Sequence, residues 1–194
     1  GLGDVYKRQD KESTEAKTLR SSGASTSNTI TIKANQAPYN YVTRDQAKTL
    51  AEGFGTKQNY KNVKTKLVSS YAWDTAIAFI QKTVSNYGSS SPQGNYSDTT
   101  FDYTDITTGA SKTKAKNRGT LVPTGQTTGV CNIYDMGGNV WEWTTESYSR
   151  PRDYPYTPRG SKYNDSFAAS AGDRSYSSSD YAYGNIGFRA TLFL

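Results

Sequence analysis

The sequence predicts an α+β domain with two helices, short strands and extensive ordered loops, and three observations lead there. Helical periodicity is confined to two stretches, 42–55 and 69–86. Beyond Tyr87 it disappears: short runs such as "TFDYTDI" and "GTLVP" sit among Gly, Ser, Thr, Asn and Asp, and residues 129–194 carry no helical pattern. Only 34% of the 194 residues are hydrophobic, so the core must be economical, in one domain or at most two.

The elements follow in order. The opening "GLGDVYKRQ" (1–9) is set aside, because "DVYKRQ" looks like the translation of a transposon-end sequencing adaptor, GAT GTG TAT AAG AGA CAG. That reading makes the chain a metagenomic gene fragment whose true N-terminus lies upstream. Residues 10–28 are polar and Ser/Thr-rich, a linker or frayed segment, and the folded domain is expected over 29–194. "TITIKA" (29–34) alternates as a strand, with Ile30 and Ile32 on one face. In "VTRDQAKTLAEGFG" (42–55), Thr43 is placed to N-cap a helix whose apolar stripe is Ala47, Leu50, Ala51 and Phe54, and Gly55 supplies a stop. The second helix is expected over 69–86, capped by Ser69 or Ser70, with Trp73, Ala76, Ile77, Ile80 and Val84 inward.

Composition excludes whole classes of chemistry. With no histidine, Ser-His-Asp triads, Cys-His dyads, facial-triad iron sites and histidine zinc sites are all absent. The single cysteine, Cys131, allows no internal disulfide; it is expected to be buried and to act as packing. The net charge of +6 comes from scattered lysines, without the dense basic block of a nucleic-acid binder. No apolar run approaches the roughly 20 residues of a membrane span. Tyrosine is abundant, 16 residues against 6 Phe and 3 Trp; it offers rigid contact area with a polar tip, the chemistry of binding loops.

The most specific stretch is "NIYDMGGNVWEWT" (132–144). Gly137 and Gly138 permit a tight turn, and Trp141 and Trp143 alternate with Glu142 as on a strand with one buried face. On this motif the chain resembles the formylglycine-generating-enzyme (sulfatase-modifying-factor) family, whose fold is C-type-lectin-like. The resemblance continues in order through "PYNYVTRDQAKTLAE", "KLVSSYAWDTA", "PRGSKY", "GDR" and "IGFRATL", covering residues 38–194. The family's oxidases need a copper-binding cysteine pair after the segment that "PRGSKY" resembles, yet residues 159–189 contain no cysteine. The related iron-dependent sulfoxide synthases need histidines, and there are none. No catalytic residue and no required cofactor are therefore expected, since function lives in sites and not in folds. Asn139 and Glu142 resemble residues that help hold calcium in some members, which makes a structural calcium the one metal to look for.

A second branch with this fold is the variable proteins of diversity-generating retroelements, the type that determines phage tropism. There, template adenines are randomised, and an AAY codon changed at its first two bases never yields Lys, Glu, Gln, Met or Trp. "YNDSFAASAGDRSYSSSDYAYGN" (163–185) contains none of these and runs directly into the closing strand. The resemblance implies a non-catalytic ligand-binding protein with a hypervariable surface over about 150–185. Its expected contacts are Tyr154, Tyr156, Tyr163, Asn164, Asp165, Phe167, Tyr176, Asp180, Tyr181, Tyr183 and Asn185, and its partner a protein or glycan on a target cell. Such a protein would reside on a phage tail or a bacterial cell surface. The alternatives are a formylglycine-generating-type oxidase with unconventional ligands, or a non-variable phage or surface structural module.

Overall fold

Helix α1 (Arg44–Lys57) begins where the sequence places it. Thr43 is extended, at φ −69° and ψ 163°, and its hydroxyl accepts the Gln46 N–H at 3.2 Å while the Gln46 side chain accepts the Thr43 N–H at 2.9 Å. This reciprocal pair satisfies two N–H groups that the first turn leaves free. Ala47, Leu50, Ala51 and Phe54 are buried. Gly55 does not end the helix, which runs two residues further to a cap at Gln58. Gly55 instead lies against strand β3 (Lys64–Leu67), donating its N–H to Thr65 Oγ1 at 3.0 Å.

Helix α2 (Ser70–Ile80) is capped by Ser69, whose hydroxyl accepts the Ala72 N–H at 3.1 Å. It stops well short of the expected residue 86. The Gln81 side chain donates to the Tyr87 carbonyl at 2.6 Å and folds the following residues into turns. Trp73, Ala76, Ile77 and Ile80 are buried as the periodicity requires, and Val84 is half-buried against the same cluster.

A computed structural model describes residues 9–10, 26, 30–88, 93–127, 129–148, 153–166 and 169–194. Its strands form two-stranded sheets. β1 (Gln9–Asp10) pairs antiparallel with β2 (Ile30–Thr31), so the "TITIKA" strand is shorter than expected, although Ile30 and Ile32 do face one core. β4 (Phe101–Thr104) and β5 (Ser111–Lys114) form an antiparallel hairpin, whereas "GTLVP" is irregular. β3 pairs antiparallel with the last strand, β8 (Ala190–Phe193), from Lys64↔Phe193 to Leu67↔Ala190.

The remaining pair, β6 (Trp141–Trp143) with β7 (Ile186–Phe188), is parallel. Parallel neighbours require a long crossover, and here it is the whole of residues 144–185, with no helix among its described residues. The polar segment that the sequence singles out thus leaves one strand and returns to start the next. One core, around α1, joins Val42, Leu50, Phe54, Leu67, Trp143, Ile186 and Phe188; a second, around α2, joins Trp73, Ile77, Ile80, Ile133 and Met136.

Candidate functional site

The floor of the site is built on β6 and β7. Trp143 is fully buried and donates its indole N–H to the Val42 carbonyl at 2.8 Å. Glu142, expected on the opposite and more open face, is equally buried because Arg189 sits against it. The Arg189 Nη2 donates to Glu142 Oε1 at 2.8 Å, its Nε to Oε2, and Nη2 also to the Asp135 carbonyl at 3.0 Å. Burial opposes the charge on Arg189, but the adjoining Glu142 carboxylate outweighs it and holds the guanidinium pKa above its ordinary value. Trp141, expected to be buried, is only half-buried and turns toward the crossover.

Two glycines bring the crossover onto this floor. Gly138 has φ +69°, and a Cβ there would lie 2.1 Å from the Asn95 carbonyl oxygen. Gly160 has φ +92°, with the Met136 carbonyl and the Trp73 ring closing on it. The Gly138 N–H donates to the Gly160 carbonyl at 2.7 Å, a backbone approach that side chains at either position would block.

The two residues expected to hold calcium do not fit it. Asn139 Oδ1 accepts from Asn95 Nδ2 at 2.9 Å and from the Val122 N–H at 3.0 Å, and its Nδ2 donates to the Val122 carbonyl. Both Glu142 oxygens are engaged by a guanidinium, whose charge repels a cation from that carboxylate. Among the described residues no three His, Cys, Asp or Glu side chains gather to hold a metal ion. Cys131, expected to be buried, is exposed, because the Val130–Ile133 backbone bonds close a turn that projects it outward.

A closed ring of four charges anchors the crossover at mid-length. Arg159, with no solvent contact, reaches Asp74 Oδ1 at 2.6 Å and Glu146 Oε2 at 3.3 Å. Arg174 reaches the other oxygens of the same carboxylates, Asp74 Oδ2 at 2.6 Å and Glu146 Oε1 at 3.2 Å. The ring ties two points of the crossover to α2 and to the segment after β6. Asp173 beside it accepts the Ser170 N–H at 2.9 Å and a hydrogen bond from the Ser161 hydroxyl.

The structure distributes the expected contact residues unevenly. Tyr154, Tyr176 and Tyr183 are 49%, 66% and 58% exposed, as a binding role requires. Asn164 and Asp180 are exposed, and a hydrogen bond from Ser178 holds the Asp180 carboxyl below its ordinary pKa. The Tyr181 and Tyr183 rings meet at a tilt of 54°, with 4.5 Å between centroids, and the Tyr181 hydroxyl donates to Asn185 Oδ1 at 3.2 Å. Tyr156 is partly structural: the Arg44 guanidinium lies 4.1 Å from its ring centroid, and its backbone pairs with Ser177. Tyr163 and Asp165 are half-buried, tied to the scaffold through the Asn139 carbonyl and the Ser97 N–H. Phe167 lies outside the described residues.

A groove of about 310 Å³ gathers Asp165, Tyr176 and Tyr181 against Trp141 and Lys162. Trp141, Lys162 and Ser175 are site residues that the sequence did not reveal; proximity to Asp165 and Tyr176 in the chain was the available signal for the last two. Tyr148, 56% exposed and just ahead of the expected window, belongs with the exposed tyrosines too; its N–H donates to the Pro155 carbonyl at 2.6 Å.

This geometry can be set beside known proteins. The model of the sulfatase-modifying factor enzyme 1-like domain matches residues 6–192. No curated protein matches the chain. Among solved structures it is similar to Treponema denticola variable protein 1, at 15% identity and a TM-score of 0.53, over 80% of this chain and 70% of that one. It is also similar to CarF, at 18% identity and a TM-score of 0.47, over 80% of this chain and 66% of that one. At 15% identity the likeness to the variable protein speaks to the fold alone, and the fold is the α+β, C-type-lectin-like one that the motifs imply. With the family model spanning nearly the whole chain, from residue 6 within the opening stretch to the closing strand, the chain belongs to the sulfatase-modifying factor enzyme 1-like domain family.

Proposed function

We propose that this domain is a non-catalytic recognition module whose 144–185 crossover displays a ligand-binding surface open to diversification, on a phage tail or a bacterial cell surface. The observation that carries the proposal is the parallel β6–β7 pair: it pins both ends of the crossover to one sheet while Tyr154, Tyr176 and Tyr183 stand exposed between them. A loop anchored in this way can change its outward side chains without changing its path. Three further points support the reading. Positions 163–185 hold only residue types that randomised AAY codons can encode. The segment 159–189 lacks the cysteines an oxidase of this family would use. One solved structure that shares the fold is called a variable protein.

Tyrosine anchors would supply affinity and the Asp, Asn and Ser side chains among them specificity. Population sequencing of this locus tests the proposal. Substitutions should concentrate at 150–185 while 132–144 and 186–194 stay fixed, with a reverse-transcriptase gene nearby; an even spread along the chain would contradict it. Membership of a family that includes enzymes favours one second reading, an oxidase with unconventional ligands. Stoichiometric copper binding together with oxidation of a cysteine-containing peptide by the purified chain would replace the recognition reading with that one.

A further inference from the structure

The groove between the crossover and β6–β7 has walls of two kinds. Trp141 on β6 lines it from the scaffold side, and Tyr176 and Tyr181 line it from the crossover. Beside these rings Lys162 and Asp165 form an ion pair at 2.6 Å, with 21% and 26% of their side chains exposed, and Ser175 adds a hydroxyl. The volume of about 310 Å³ lies at the small end of ligand pockets, near ~300 Å³. A groove of this size takes a ring-sized group.

From this combination we infer that the groove receives a neutral pyranose ring, the terminal sugar of a glycan; the inference rests on the recognition function proposed above. Aromatic rings are the side chains on which the C–H face of a sugar ring packs, and three of them line this groove. Lys162 and Asp165 cancel in charge yet offer a donor and an acceptor side by side. Adjacent sugar hydroxyls, each both donor and acceptor, satisfy the two together. An apolar side chain from a protein partner would cover the same pair and return no hydrogen bond to the donors and lone pairs that its internal bonds leave open. The pair has no net charge, so it gives a charged sugar no net attraction over a neutral one.

The full chain is applied to a printed array of neutral, sialylated and sulfated oligosaccharides, and retained oligosaccharides are titrated against tryptophan emission. Trp73 and Trp143 are fully buried, so a change in emission reports Trp141. Neutral glycans should be retained. Tyr176→Ala, at a site too exposed to threaten folding, should weaken them tenfold or more, and Trp141→Ala should abolish binding. Tyr71→Ala, 85% exposed on α2, should change nothing. An array that retains only charged glycans or none, or binding indifferent to Tyr176→Ala, overturns the inference. A parallel assay on intact bacteria separates this failure from failure of the underlying function. Binding destroyed by periodate and kept after proteinase K supports the glycan. Binding destroyed by proteinase K and kept after periodate removes the glycan and leaves recognition standing. No binding to any of the cells removes both.

Discussion

Glu142 and Arg189 have almost no solvent contact, and their mutual bonds hold β6 and the end of β7 in place beneath the crossover. A buried pair of this kind is costly to break, because removing one partner strands the other charge. Arg189→Met should destabilise the fold by about 3–5 kcal/mol, read as a lower urea midpoint at unchanged m-value. Adding Glu142→Gln should recover much of that loss, and strict additivity of the two losses would contradict the pairing. Tyr87 and Tyr96 give a second signature at this scale. Burial pushes both phenol pKa values above the ordinary tyrosine value, with nearby Arg189 partly opposing the shift at Tyr87. The folded state therefore keeps two protons that the unfolded chain releases above about pH 10. Their contribution to stability is complete below that pH and is lost as pH rises further. The urea midpoint should fall in that alkaline range, and the Tyr87→Phe/Tyr96→Phe double variant should show a shallower fall. Sequence alternation placed Trp141 and Trp143 on a common buried face and left Glu142 outside. What reversed this was a partner far along the chain, invisible to any local pattern.

The elements differ in how far local signals determine them. Both helices were legible because caps and apolar stripes act within one or two turns: Thr43 with Gln46, and Ser69 with Ala72. Their ends were less so. A tertiary hydrogen bond to Thr65 accompanies α1 past Gly55, and a Gln81 side chain turns the chain after α2. The crossover is the extreme case. Its course depends on Arg159 and Arg174 meeting Asp74, 85 and 100 residues earlier, and no spacing rule connects them. The ring is unequal in its consequences. Arg159→Ala, at a fully buried side chain, should cost about 3–5 kcal/mol and raise amide exchange across 153–166 and 169–185. Arg174→Ala, about half-exposed like its partner Asp74, should cost about 0–1 kcal/mol and leave exchange in β6 and β7 unchanged. Equal losses for the two variants would show that the ring does not anchor the crossover as described.

At the scale of the whole molecule, stability and the proposed recognition role occupy different residues. The cores around α1 and α2 draw on the helices, the short strands and the "YDMGGNVWEW" turn. The crossover contributes mainly Ala171 and the Thr157–Ser161 segment, with the Arg159 side chain, to the buried interior. Its exposed tyrosines make little demand on the fold. The family motifs were readable because they encode backbone constraints, such as the close approach of Gly138 to Gly160. The groove was not, because it forms only when β6 and the crossover meet in space. No helix among the described residues is long and apolar enough to cross a membrane, and the proposed recognition surface is the crossover's exposed aromatic side chains. The central claim is that the scaffold holds its fold whatever the crossover displays. The most direct measurement is protease resistance across a library with positions 154, 164, 176, 180 and 183 randomised together. The account predicts that most members resist trypsin and unfold at a urea midpoint close to that of the parent; a library in which most members are degraded would contradict it.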